Sequence, residues 1–113
     1  MMVMQEVVET HAYLSAADDA GMTPEERERA VQTVAADPMA GEVMVGTGGC
    51  RKLRLAGRGK GKSGGYRVIT YFGSVNAPAY LLTVFSKGER TNLSKSEQNA
   101  LAAIAKNLCI GLR

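Results

Sequence analysis

In Arg51-Lys52-Leu53-Arg54-Leu55 the side-chain period is two: Leu53 and Leu55 fall on one side of an extended chain, Lys52 and Arg54 on the other. Such a strand is stable only with its leucine side on a core, which leaves the cations on the opposite face. Two more segments of strand composition follow, Tyr66-Arg67-Val68-Ile69-Thr70-Tyr71-Phe72 and Ala79-Tyr80-Leu81-Leu82-Thr83-Val84-Phe85-Ser86. Glycine-rich residues 57–65 and a turn at 73–78 separate them. Three strands in succession predict an antiparallel meander.

Helical signals flank the meander. Residues 2–8 are β-branched and apolar enough for an opening strand, and Glu9-Thr10 then offers an N-cap before Tyr13, Leu14 and Ala17 at helical spacing, with Gly21 as the stop. Thr23-Pro24-Glu25-Glu26 supplies a cap, a proline at the first helical position and a glutamate placed for a capping box, so a second helix is expected over residues 24–36, ended by Asp37-Pro38. Its polar face is acidic through Glu25, Glu26 and Glu28, a candidate contact for a basic partner segment. Residues 40–49 read as irregular, with Val43-Met44-Val45 as a short extended piece. Ser94-Lys95-Ser96-Glu97 is a second capping box, opening a helix with Leu101, Ile104, Ala105 and Leu108 at core spacing. At 113 residues the chain has material for one core. The expectation is a single domain over residues 1–113, α+β, of order β-α-α-β-β-β-α, its helices packed on an antiparallel sheet.

Charge is distributed unevenly although the net value is only +3. Residues 1–50 carry nine acids (Glu6, Glu9, Asp18, Asp19, Glu25, Glu26, Glu28, Asp37, Glu42) and two bases, Arg27 and Arg29. Residues 51–67 carry seven bases (Arg51, Lys52, Arg54, Arg58, Lys60, Lys62, Arg67) and no acid. Cations packed so closely repel one another, and a polyanion relieves that repulsion, so nucleic acid is the expected ligand class. Without a run of about 18 apolar residues or a charged leader before an apolar stretch, neither a membrane span nor a signal peptide is expected, and the cytoplasm is the expected compartment. Cys50 and Cys109 lack ligand spacing and read as small buried side chains of a reduced protein.

Several apparent motifs fail on context. Gly59-Lys60-Gly61-Lys62-Ser63-Gly64 has the letters of a dinucleotide fingerprint and the ending of a phosphate-binding loop, but those loops open a helix, and this one precedes a strand. What remains is a cationic glycine-rich loop able to follow a nucleic-acid backbone. The lone histidine, His11, has no triad partner in view. With no carboxylate in the basic segment to hold a divalent ion, neither metal nor cofactor is expected there.

Residues 46–56, Gly46-Thr47-Gly48-Gly49-Cys50-Arg51-Lys52-Leu53-Arg54-Leu55-Ala56, together with Gly57-Arg58-Gly59-Lys60 and Gly64-Gly65-Tyr66-Arg67-Val68-Ile69, closely resemble toxins of the RelE/ParE superfamily, in their HigB-like branch. The resemblance extends to Val8-Glu9-Thr10, Asp37-Pro38-Met39-Ala40-Gly41, residues 81–87 and Leu93-Ser94, and so covers nearly the whole chain. It implies a RelE-like fold, metal-free endoribonucleolytic cleavage of mRNA in the ribosomal A site, and neutralisation by a cognate HigA-like antitoxin with a helix-turn-helix, through which alone operator DNA would be contacted. Such cleavage needs an acceptor for the 2′-hydroxyl proton, cations around the phosphorane and an acid for the departing 5′-oxygen. Crowding by like charges makes a lysine give up its proton more readily, which opens a base role to Lys52. Arginine keeps its proton, so Arg54 and Arg67 are the expected stabilisers. Lys87 matches a further basic position of the family, suited to phosphate contact or proton donation. Arg51, Arg58, Lys60, Lys62 and Arg90 are the expected backbone contacts. Leu93 stands where RelE itself has a tyrosine, which leaves Tyr66, Tyr71 or Phe85 as the candidate stacking ring. Two alternatives share the same features: a ParE-like toxin that inhibits DNA gyrase without cutting RNA, and a non-catalytic RNA-binding module.

Overall fold

In the computed structural model, which describes residues 4–57, 65–88 and 92–110 (Ile110 by its backbone only), the elements follow the expected order. They are β1 (Val7–Glu9), α1 (His11–Ala20), α2 (Pro24–Ala36), β2 (Glu42–Val43), β3 (Arg51–Leu55), β4 (Tyr66–Tyr71), β5 (Ala79–Ser86) and α3 (Lys95–Ile110). The strands form one five-stranded sheet of order β1-β5-β4-β3-β2. The class is α+β, as expected, and the meander β3-β4-β5 is antiparallel. The sheet as a whole is mixed, because β1 lies parallel to β5, with Val8 opposite Tyr80. That edge is sewn by Ala79 N–H donating to the Glu6 carbonyl (2.9 Å), by Gln5 Nε2 donating to the Ala77 carbonyl (2.7 Å) and by the Thr10 hydroxyl donating to the Leu81 carbonyl (2.8 Å). The short extended piece sits one residue earlier than its apolar letters suggest, at Glu42–Val43, and Val45 is 92% exposed.

Both capping boxes form. Thr23 Oγ1 accepts from Glu26 N–H while Glu26 Oε1 accepts from Thr23 N–H, and Ser94 and Glu97 repeat the exchange at α3. Glu26 departs from the expected acidic face: it is 2% exposed, and Oε1 also accepts a 2.9 Å bond from the Tyr66 hydroxyl on β4. The box that starts α2 is thereby also its polar anchor to the sheet, and the solvated acids of that helix start are Glu25 and Glu28.

The sheet divides the apolar core into two clusters, one on each face. On the first face Leu53, Leu55, Tyr66, Val68, Ala79, Leu81 and Val84 pack with Tyr13, Ala17, Ala30 and Val34 of α1 and α2. On the second, Ile69, Tyr71, Leu82 and Phe85 pack with Leu101 and Ala105 of α3, with Leu93 and with Cys50. A register shift between Ile69 and Thr70, which pairs them with Thr83 and Leu81, skips Leu82. Cys50 is buried as expected, and burial pushes its thiol pKa up, but Cys109 is exposed on the last turns of α3. Ile104, expected at a core position, is 42% exposed because α3 rests on the sheet through Leu101 and Ala105.

The buried tyrosines give the fold an alkaline limit. Tyr13 is fully buried, with its hydroxyl against Met22 Sδ (3.9 Å), and burial, reinforced by the Glu9 charge and opposed by Arg27, pushes its pKa from 10.0 up to about 12. The unfolded chain therefore loses this proton first, and stability that is intact below pH 10 is lost as pH rises toward 12. Tyr66 and Tyr71 are shifted upward too, again chiefly by burial. Tyr13→Phe is expected to remove roughly 2–3 kcal/mol of the stability loss between about pH 9 and pH 12, measured by urea unfolding at several pH values. An unchanged alkaline slope in the variant counts against the assignment.

Candidate nucleic-acid interface

The second sheet face divides into two regions. α3 covers Ile69, Tyr71 and Leu82, and beyond it the same face carries Lys52, Arg54 and Arg67, which are half-buried, exposed and half-buried respectively. Antiparallel register sets Arg54 directly opposite Arg67, Lys52 opposite Ile69, and Phe85 on the far side of Arg67. Like charges directly opposite on adjacent strands cost stability, on the order of 0.2–1 kcal/mol. Among the described residues no carboxylate forms an ion pair with Lys52, Arg54 or Arg67, whereas Arg27 on α2 is paired with Glu9 (3.2 Å). The Arg67 guanidinium bonds instead to the carbonyl of Tyr66 (3.3 Å).

Lys87 follows β5 directly, and its N–H donates to the Gly65 carbonyl (3.1 Å), which fixes its backbone beside the start of β4. Its side chain is exposed. The structure thus sets Lys52, Arg54 and Arg67 on one face of β3 and β4, and Lys87 just past the end of β5, one strand over from Arg67.

Other expected residues go elsewhere. Arg51 alternates onto the α1/α2 face, and its guanidinium donates to the carbonyls of Met39 (3.0 Å) and Gly41 (3.1 Å), clamping the turn that brings β2 against β3. Tyr66 is buried on that same face against Glu26, so its ring is not available to a base on the cationic side. Tyr71 and Phe85 do lie on the cationic side, 7% and 4% exposed, within the core under α3. Arg58, Lys60, Lys62 and Arg90 lie outside the described residues.

One neighbour of the cations was not singled out from the sequence. Edge strand β2 places Glu42 opposite Lys52, and among the described residues no strand pairs with the outer edge of residues 53–55. A groove of about 350 Å³ opens there, lined by Gly41, Glu42, Lys52, Leu53 and Arg54. Gly41 makes this approach possible: at φ 94° a Cβ on it would sit 2.6 Å from the Lys52 carbonyl oxygen. The Gly-Thr-Gly-Gly segment has a similar packing role. Thr47, fully buried, donates to the Met44 carbonyl (2.7 Å) and accepts from Cys50 N–H (3.1 Å), and at Gly48, φ 73°, a Cβ would reach 3.4 Å from Ala105 of α3.

A five-stranded sheet with helices on both faces thus carries a strand face, Lys52, Arg54 and Arg67, whose cations no carboxylate among the described residues ion-pairs. The family model of the RelE toxin of the RelE/RelB toxin–antitoxin system matches residues 6–111, nearly the whole chain. The chain belongs to the RelE toxin family and is the toxin of a toxin–antitoxin pair, with a cognate antitoxin as its partner. No helix among the described residues is long and apolar enough to cross a membrane.

Proposed function

We propose that this toxin, of the HigB-like branch, inhibits translation by cutting mRNA in the ribosomal A site, without a metal ion. Members of the RelE family are generally endoribonucleases. The observation that carries the reading is the cross-strand pair Arg54–Arg67 beside Lys52, three cations on one face that no carboxylate among the described residues ion-pairs. Cleavage by the neighbouring 2′-oxygen builds charge on a five-coordinate phosphorus, and fixed cations that need no reorganisation are what such a transition state requires. Lys52, Arg54 and Arg67 surround that phosphorane, and Lys87 contacts the adjoining phosphate or delivers the proton to the departing 5′-oxygen. Phe85, opposite Arg67, is the candidate stacking ring in direct register with the site. Arg58, Lys60, Lys62 and Arg90 extend the contact to mRNA and ribosomal RNA. The antitoxin is HigA-like, carries a helix-turn-helix, and alone contacts operator DNA; the complex works in the cytoplasm.

Primer extension on mRNA from a translating extract tests this. Ends within translated codons are expected, and only while ribosomes engage the message. Intact mRNA with impaired DNA supercoiling would instead favour gyrase inhibition. Binding that weakens steeply with salt but leaves the RNA whole would identify a non-catalytic module.

A further inference from the structure

We infer that Glu42 is the general base of the cleavage, a reading that rests on the endoribonuclease function proposed above. An acid beside cations that must hold a polyanion weakens binding, yet β2 sets Glu42 in direct cross-strand register with Lys52. Residues directly opposite in an antiparallel pair have Cβ atoms about 5 Å apart. The two side chains line one groove, with Arg54 next along it, and are not ion-paired to each other. The local construction is specific: Arg51 ties down the preceding turn through the carbonyls of Met39 and Gly41, and Gly41 admits the close backbone approach. Of the groove-lining residues Gly41, Glu42, Lys52, Leu53 and Arg54, a carboxylate is the one group that ordinarily accepts a proton at neutral pH without first giving one up.

The step balances with these groups. Glu42 takes the proton of the 2′-hydroxyl as the 2′-oxygen bonds to phosphorus. Lys52, Arg54 and Arg67 hold the phosphorane oxygens. The bond from phosphorus to the 5′-oxygen then breaks, its electron pair leaves with that oxygen, and the Lys87 ammonium protonates it. The products are a 2′,3′-cyclic phosphate and a 5′-hydroxyl, and solvent returns Glu42 and Lys87 to their starting states. Lys52 thereby becomes the cation that orients the carboxylate and stabilises the transition state, in place of the base role that its sequence neighbourhood suggested.

Single-turnover cleavage on mRNA-programmed ribosomes, with wild type, Glu42→Gln and Glu42→Asp compared between about pH 5 and pH 9, separates the possibilities. The expected result is a rate for Glu42→Gln about 10²–10³-fold below wild type, with ribosome affinity equal or tighter because a negative charge is gone, and partial recovery in Glu42→Asp. In wild type the rate should be level from roughly pH 6 to 8, as a carboxylate base requires. If wild type cuts but Glu42→Gln cuts within about threefold of it, or if the wild-type rate climbs tenfold per pH unit across that range, Glu42 is not the base and Lys52 takes the role. If wild type makes no cut on programmed ribosomes, the endoribonuclease reading itself falls, and this inference with it. Glu42 is exposed on a two-residue edge strand, so the substitutions leave the core untouched.

Discussion

Arg67→Ala is expected to lower mRNA cleavage by about 10²–10³-fold while leaving the protein as stable as wild type, or slightly more so. The two effects have one cause. Arg67 faces Arg54 across adjacent strands, and no carboxylate among the described residues ion-pairs with either, so its charge is unfavourable by itself and favourable when phosphate is bound. Removing it relieves a like-charge pair and takes a transition-state contact away. Its hydrogen bond to the Tyr66 carbonyl is a partly solvated bond of 3.3 Å at a strand end, whose loss costs little. Cleavage measured on programmed ribosomes alongside a thermal melt checks both halves. A variant that melts many degrees lower would show that Arg67 supports the fold, and one that cuts normally would remove it from the site.

The largest stability effect is expected at Glu26, a residue with no part in the chemistry. Glu26→Ala takes away half of the α2 capping box, worth about 1 kcal/mol, and strands the Tyr66 hydroxyl in the core, worth roughly 1–3 kcal/mol more. The sum, about 2–4 kcal/mol, corresponds to a Tm drop on the order of 10 °C for a domain of this size. Tyr66→Phe removes the hydroxyl without the cap, so the double variant should cost distinctly less than the two single variants added together. Strict additivity in urea unfolding would mean that the two groups are not coupled. Cleavage by Glu26→Ala, assayed well below its melting temperature, should stay within a few-fold of wild type.

Legibility differed sharply between element and face. The bounds of α2, β3 and β5 and both capping boxes could be read along the chain, because caps, prolines and side-chain period act over a few residues. Lys52 and Arg54 could be assigned to one sheet face, which Arg67 shares, because alternation along a strand decides which way a side chain leaves it. The same rule, applied from Leu53, already sends Arg51 to the opposite side from Lys52, but charge counted along the chain grouped the two together. Glu26 looked solvated for a similar reason: the helix pattern around it is polar, and only the approach of Tyr66, 40 positions away, makes it a core residue.

By itself, then, the sequence determined the elements, the meander, the cationic strand face and membership of a toxin family, all of which depend on local pattern or on residues that sit close together in the chain. Tertiary structure alone decided the parallel placement of β1 on β5, the partial cover of the cationic face by α3, and the position of Glu42 across from Lys52. The physical reason is that each of these is a pairing between distant segments. Such pairings are set by backbone hydrogen-bond register and by which apolar surfaces bury each other, and neither quantity belongs to any one segment.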